Sequence, residues 1–427
     1  MTLAKDKPGN PGTEELPLVW YSWVVAVLCL LSYAVSFVSR NVWSTALPVA
    51  APALKLSMTQ AGGLMTAFYI GYVAANFFSG FFVDRFGPRK TLAAASFFTG
   101  LFTLLIPFAS SYVTIFLLRV GAGIAAGPLF SGGVKFQLAW FPQKARATAM
   151  GLVMTGPALG GVIANGAFAP LIQAKGWQTG FKIAALVTLT VAVLTFFFAK
   201  ERGSALGTAS KSVRVLTPEE KAADRKALLA VLLKRSFIVG CVAQMVMVGI
   251  GQGWTTWIML YFTKVQGFSL AKAGALLAGT GLVALFTGTS VGIISDLLKA
   301  RKKPCYIGAV GGFVFTAALL FTTNVALLTT FLVLRIIIGA FLSLINTMQA
   351  ETVVGPYAGR AMGIYNGICQ LGSVIFPVVL GLLLDVSGGN FFIVLMSLAT
   401  AYLVVGLLVG FGMEETVKVT TKPTAAA

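Results

Sequence analysis

GFFVDRFGPRK (residues 80–90) recurs in degenerate form as GIISDLLKARK (292–302). Gly80 falls on Gly292 and Asp84 on Asp296 at an offset of 212 residues. The same offset lays SMTQAGGLM (57–65) over SLAKAGALL (269–277), Ala149-Met150-Gly151 over Ala361-Met362-Gly363, and Gly160 over Gly372. With a four-residue shift, Arg119 and Gly123 meet Arg335 and Gly339. One glycine pair coincides easily; several matches in one order do not. The second half of the chain repeats the first.

What is repeated is apolar. The 427 residues are 57% hydrophobic and 11% charged, against about 25% charged in ordinary soluble domains. A bilayer-spanning helix needs roughly 20 mostly apolar residues, and twelve such runs are present: 20–49, 58–82, 90–109, 112–139, 147–172, 178–199, 236–263, 269–297, 304–322, 325–350, 359–384 and 390–412. The predicted fold class is therefore an all-α membrane protein of two pseudo-symmetric six-helix bundles, 20–199 and 236–412. They are joined by a polar loop, 200–235, and flanked by tails, 1–19 and 413–427. In the loop, Thr217 can cap and Pro218 open a short helix. The start of the chain lacks the apolar core of a signal peptide and reads as a tail.

The net charge of +19 suggests nucleic acid only at first sight, because too few charges exist to build a solvated basic face. Their distribution is topological instead. With the N-terminus inside, 23 basic residues fall in cytosolic segments and five (Lys55, Lys175, Lys182, Lys264, Lys272) on the outer side. That is the positive-inside asymmetry. We expect a multi-pass protein of a bacterial inner membrane, monomeric, with both termini cytosolic and the bilayer as its partner. There is no histidine, and Cys29, Cys241, Cys305 and Cys369 stand alone. No catalytic constellation, metal site or cofactor is expected, and an enzyme is excluded. Inverted or repeated halves instead mark a secondary transporter with its site near the midplane.

Four basic residues lie inside apolar runs: Arg40, Arg119, Lys135 and Arg335. Charge at that depth is costly and marks function by default. Guanidinium keeps its proton and takes carboxylate or phosphate through a planar fork. No acid stands at comparable depth, so the counter-ion is expected to arrive as substrate. The alternative for Arg40 and Arg119 is that backbone carbonyls or a water-filled cavity hold them. Arg335 could equally stabilise the packing of its span. Lys135 and Glu351 each lie sixteen residues past an arginine, about 24 Å along a helix. Lys135 is thus expected at a gate near the cytosol. Gln252, Trp254 and Gln370 are further polar or aromatic candidates, with helix-to-helix adhesion as the alternative. Tyr69 and Tyr365 read as packing residues. Gly156, Gly160 and Gly161 should let the fifth span approach a neighbour, with Pro157 bending it.

The chain resembles the major facilitator superfamily over essentially its full length. The resemblance rests on GFFVDRFGPRK, its copy, and RVGAGIAAG (119–127). Within it the chain is most similar to the anion:cation symporter branch, which holds sialin-, hexuronate- and galactonate-type carriers. The shared segments are SRNVWSTALPVAAP (39–52), AFYIGY (67–72), WFPQKARATAMG (140–151), TWIMLYFTKVQGFSLAKAG (256–274) and GRAMGIYNG (359–367). The resemblance implies alternating access, with spans one, four, seven and ten lining the cavity. It implies substrate roles for Tyr72 and Asn366. Apart from the resemblance, Asp84 with Arg85, Arg89 and Lys90 sits in a short loop that fixes two helices, where a carboxylate can meet a neighbouring helix N-terminus; this reads as a conformational latch, repeated at Asp296. The branch usually carries an Asp before the first-span Arg and a Glu seven residues after the fourth-span Arg. Here Ser39 and Ala126 stand in those places. Proton coupling through the protein is thus hard to place, and the expected function is carriage of a small organic anion, a carboxylate, by exchange, facilitation or symport with a proton. A monocarboxylate/proton symporter, an organophosphate:phosphate exchanger and a non-transporting anion receptor are the alternatives.

Overall fold

The computed structural model describes residues 19–201, 218–353 and 358–417. Most of both expected tails, and Thr217, lie outside the described residues. Eleven helices are long and apolar enough to cross a membrane, and a twelfth span arises when Met58–Asn76 and Ser79–Phe86, bent by 58°, are counted as one. The spans are, in order, Trp20–Ala53, the bent pair, Pro88–Phe108, Tyr112–Trp140, Gln143–Lys175, Trp177–Phe198, Arg235–Lys264, the pair Leu270–Gly281 and Ala284–Leu297, Lys302–Phe321, Val325–Thr352, Ala358–Val386 and Phe391–Gly412. We number them one to twelve. A short helix, Pro218–Leu232, lies in the central segment.

The repeated stretches prove to be helix starts. Ser57 caps span two, accepting from the Gln60 N–H while the Gln60 side chain accepts from the Ser57 N–H. Ser269 caps span eight through the Lys272 N–H. A hydroxyl at the N-cap satisfies an orphan donor that lipid could not. Span five breaks where Pro157 opens a new segment, Gly156–Gly166, and span four breaks at Gly127, before Pro128. Span one instead runs past its expected end at 49, through Pro48 and Pro52.

Small residues bring helices to backbone contact. A Cβ on Gly71 would stand 2.0 Å from the Val120 carbonyl oxygen, and one on Gly123 would stand 1.9 Å from that of Phe68. Spans two and four therefore touch main chain to main chain, the packing that membranes favour. Gly160 does the same for spans five and one, where a Cβ would meet Ala34 O at 2.6 Å.

The halves close against one another at one end. Asp385, at the end of span eleven, accepts from the Met58 and Thr59 N–H groups (both 2.8 Å) and from Thr59 Oγ1 (2.6 Å). Its counterpart at the 212-residue offset, Gln173 of span five, accepts from the Ala271 N–H (2.8 Å). Each half thus caps the other's second helix. Thr66 Oγ1 adds a bond to the Val374 carbonyl (2.6 Å). At the other end, which carries Arg89 and Arg301, a cavity of about 490 Å3 separates Phe77 and Phe130 from Gly363, Asn366 and Gln370, with Leu228 of the central helix at its wall.

Candidate functional site

Arg40 sits half-way along span one and is 3% exposed. Phe37, one turn earlier, shares its face. Its guanidinium carbon lies 4.2 Å from the Phe37 ring centre, 4.8 Å from Phe68, 5.0 Å from Tyr69 and 4.8 Å from Tyr72. Ring faces attract a cation, by about 0.5–2 kcal/mol each, but they accept no strong hydrogen bond. Nη1 donates to the Tyr69 hydroxyl at 3.4 Å. Nε and Nη2 have no partner. Those two nitrogens form the side edge of the guanidinium, the edge that takes both oxygens of a carboxylate.

Arg119 is spent differently. It is 1% exposed, and it donates from Nε to the Leu64 carbonyl (3.1 Å), from Nη1 to Ser39 (3.2 Å) and from Nη2 to Arg40 (3.3 Å). Spans one, two and four are joined through one side chain. Arg119, a sequence candidate for the substrate, here ties helices together: each of its three nitrogens donates to a carbonyl, whose second lone pair was free to accept.

Arg335 is 8% exposed and lies flat on Trp254, its guanidinium carbon 3.5 Å from the ring centre, with Tyr402 at 5.9 Å. Its Nε has no partner. No carboxylate pairs with Arg40, Arg119 or Arg335 among the described residues. Trp254, one of the substrate candidates, is the ring that lies under Arg335.

The remaining candidates divide. Asn366 and Gln370 line the open cavity together, and Gln370 also accepts from Ser373. Tyr72 belongs to the Arg40 cage. Gln252 is half-buried on span seven, two residues before Trp254. Tyr365 donates to Asn346 (2.8 Å) and packs. Tyr69 has more weight than its sequence suggested, as the hydroxyl that receives Arg40. Phe37 and Phe68 were missed; the signal for Phe37 was its spacing of three from a buried arginine.

At the open end, Asp84 pairs with Lys135 at 2.6 Å. Its carboxylate therefore meets a lysine of span four instead of the expected helix N-terminus, a role that Asp385 takes at the far end. Lys135 reaches it because sixteen residues carry span four from Arg119 to the membrane edge. Arg85 is exposed, and Arg89 donates twice to the Phe196 carbonyl. The second half differs: Arg301 bridges Asp296 (2.6 Å) and Glu351 (3.1 Å). Glu415 follows span twelve and accepts from the Arg301 and Lys302 N–H groups at 3.0 Å. Burial alone would push its carboxyl up, but the backbone donors of Lys302, Arg301, Val417 and Thr416 outweigh this and hold it below the usual range. The Asp84–Lys135 pair is exposed and worth at most about 1 kcal/mol. It can bias two conformations without governing stability. Asp84→Asn is expected to slow turnover several-fold with anion affinity unchanged, measured as kcat and Kd in parallel. An unaltered rate would remove the latch.

Residues 29–377 match the Major Facilitator Superfamily. The chain belongs to that superfamily. This facilitator is 27% identical to a probable sulfoacetate transporter of Cupriavidus necator, over 91% of each chain. It is 25% identical to a hexuronate transporter of Bacillus subtilis, over 80% of this chain and 76% of that one. A cis,cis-muconate transport protein of Acinetobacter baylyi is 22% identical over 91% of each. These relatives agree with the resemblance to the anion:cation symporter branch. In fold the facilitator is similar to a D-xylose-proton symporter (TM-score 0.73, 17% identity, 94% of this chain and 99% of that one). It is also similar to an inward-facing bacterial homologue of the lysosomal transporter Spinster (TM-score 0.72, 18% identity, 92% and 95%). It is an integral, multi-pass membrane transporter and not an enzyme.

Proposed function

We propose that this facilitator carries a small organic anion, a carboxylate, by alternating access, and that Arg40 receives the carboxylate. The observation that carries this reading is the bare Nε/Nη2 edge of a cation buried among rings. A buried cation without a counter-ion is unfavourable, and a carboxylate on that edge gains two charge-assisted bonds. The names of the relatives, which speak of sulfoacetate, hexuronate and cis,cis-muconate, support an organic acid.

Halves 20–199 and 236–412 rock about the site. The end with Arg89 and Arg301 faces the cytosol, so the open cavity that holds Asn366 and Gln370 is the inward approach. Among the described residues no acid lies at the depth of Arg40, so exchange or facilitated diffusion is favoured over proton symport. The test is thermal stabilisation of the purified protein by a panel of anions, since a ligand of the folded state adds RT ln(1 + [L]/Kd). Carboxylates are expected to raise Tm in proportion to log concentration. Stabilisation by phosphate esters alone would move the protein to organophosphate exchange.

A further inference from the structure

The repeat pairs Arg119 with Arg335, yet the two arginines are used differently. Arg119 gives all three nitrogens to carbonyls. Arg335 is stacked face-on against Trp254 and keeps a buried Nε with no partner. Stacking fixes the plane of a guanidinium while leaving its edge, where the N–H groups are, clear of the ring. A group parked in that way is set to receive an anion. Arg40 in the first half also keeps a buried, unpartnered Nε, with Nη2 unpartnered beside it.

The internal repeat argues for a similar depth of the two. Arg119 Nη2 reaches the carbonyl of Arg40, so these two residues share a depth. The internal repeat puts Arg335 at the depth of Arg119 in the other half. Each half thus holds one buried guanidinium with an unpartnered Nε, and no carboxylate among the described residues neutralises either. A monoanion could compensate one and would leave the second buried and unpaired. A single molecule with two anionic ends compensates both and ties the halves together.

On the reading that Arg40 receives a carboxylate, we infer that the substrate is a dianion, one end on Arg40 and the other on Arg335. Trp254 and Tyr402 hold the second guanidinium in place. Discrimination against monoanions follows, because the cost of an unpaired buried charge falls on them alone.

The test uses the full chain in detergent and a series of straight-chain dicarboxylates from malonate to adipate, each beside its half-amide. The half-amide keeps the length and one charge. In the wild type, one chain length of dicarboxylate is expected to bind about 10- to 100-fold more tightly than its half-amide, as a charge-assisted pair implies. In Arg335→Met that ratio should fall to near one, with half-amide affinity unchanged. Methionine matches the length and removes a buried charge, so folding should survive; Arg335→Gln repeats the measurement with a polar group. A ratio that persists in both variants overturns the dianion site while leaving Arg40 as the carboxylate group. Equal binding of half-amide and dicarboxylate by the wild type, or two half-amides bound per protein, overturns it as well. If no member of either series binds the wild type, the organic-anion function falls and takes this inference with it.

Discussion

Arg40→Met should abolish anion-induced stabilisation and reduce transport at least about 100-fold, while the ligand-free protein melts no lower than the wild type. Both halves of that result follow from the same geometry. The guanidinium makes one long bond to the protein, to Tyr69, and otherwise meets four ring faces. Replacing a buried, poorly compensated charge by an apolar side chain of similar length is neutral or stabilising by about 1–4 kcal/mol. Losing both donors to a carboxylate removes about 3 kcal/mol or more of binding. Arg40→Lys keeps the charge without the fork and should fall between, since an ammonium cannot meet two oxygens along one edge. Uptake by Arg40→Met above a tenth of wild type would show that the carboxylate binds elsewhere.

Arg119→Met is expected to do the reverse. Its three carbonyl bonds cross from span four to spans one and two, and the side chain is closed off from solvent and cavity alike. The carbonyls of Leu64, Ser39 and Arg40 lie within helices, so each retains its helical bond and loses only the second. The loss should be about 3 kcal/mol in total, the low end for removing one member of a buried polar network. Yield and Tm should drop sharply. The fraction that stays folded should still bind anions within a few-fold of wild type. Arg119→Lys can reach one carbonyl and should recover part of the loss. A variant with normal Tm and no anion binding would return Arg119 to the substrate site.

The spans were legible because a bilayer admits little else: runs of apolar residues at this composition must close their own hydrogen bonds as helices. The break of span five at Pro157 was legible for the same local reason, a missing N–H. The Arg40 cage was half legible. Phe37 is a helix neighbour, whereas Phe68, Tyr69 and Tyr72 come from span two and required the packing enabled by Gly71 and Gly123. Asp84 was assigned a helix N-terminus on the strength of its loop; the neighbour that reaches it, Lys135, is set by the length of span four. The partners of Asp385, Met58 and Thr59, are 327 and 326 residues away, and nothing local marks a cap supplied from the other half of the chain.

By itself the sequence determined the number of crossings, the internal repeat, and that three arginines lie deep among apolar residues with no acid at hand. Those properties depend on composition and periodicity along one helix at a time. Only the tertiary structure decided which partners each arginine meets. Arg119 and Arg335 occupy equivalent places in the repeat and look alike along the chain. One meets carbonyl oxygens of two neighbouring helices and the other meets the face of Trp254. In the first environment every nitrogen donates to a carbonyl, in the second Nε is left without a partner, and that difference rests on which helix is packed alongside.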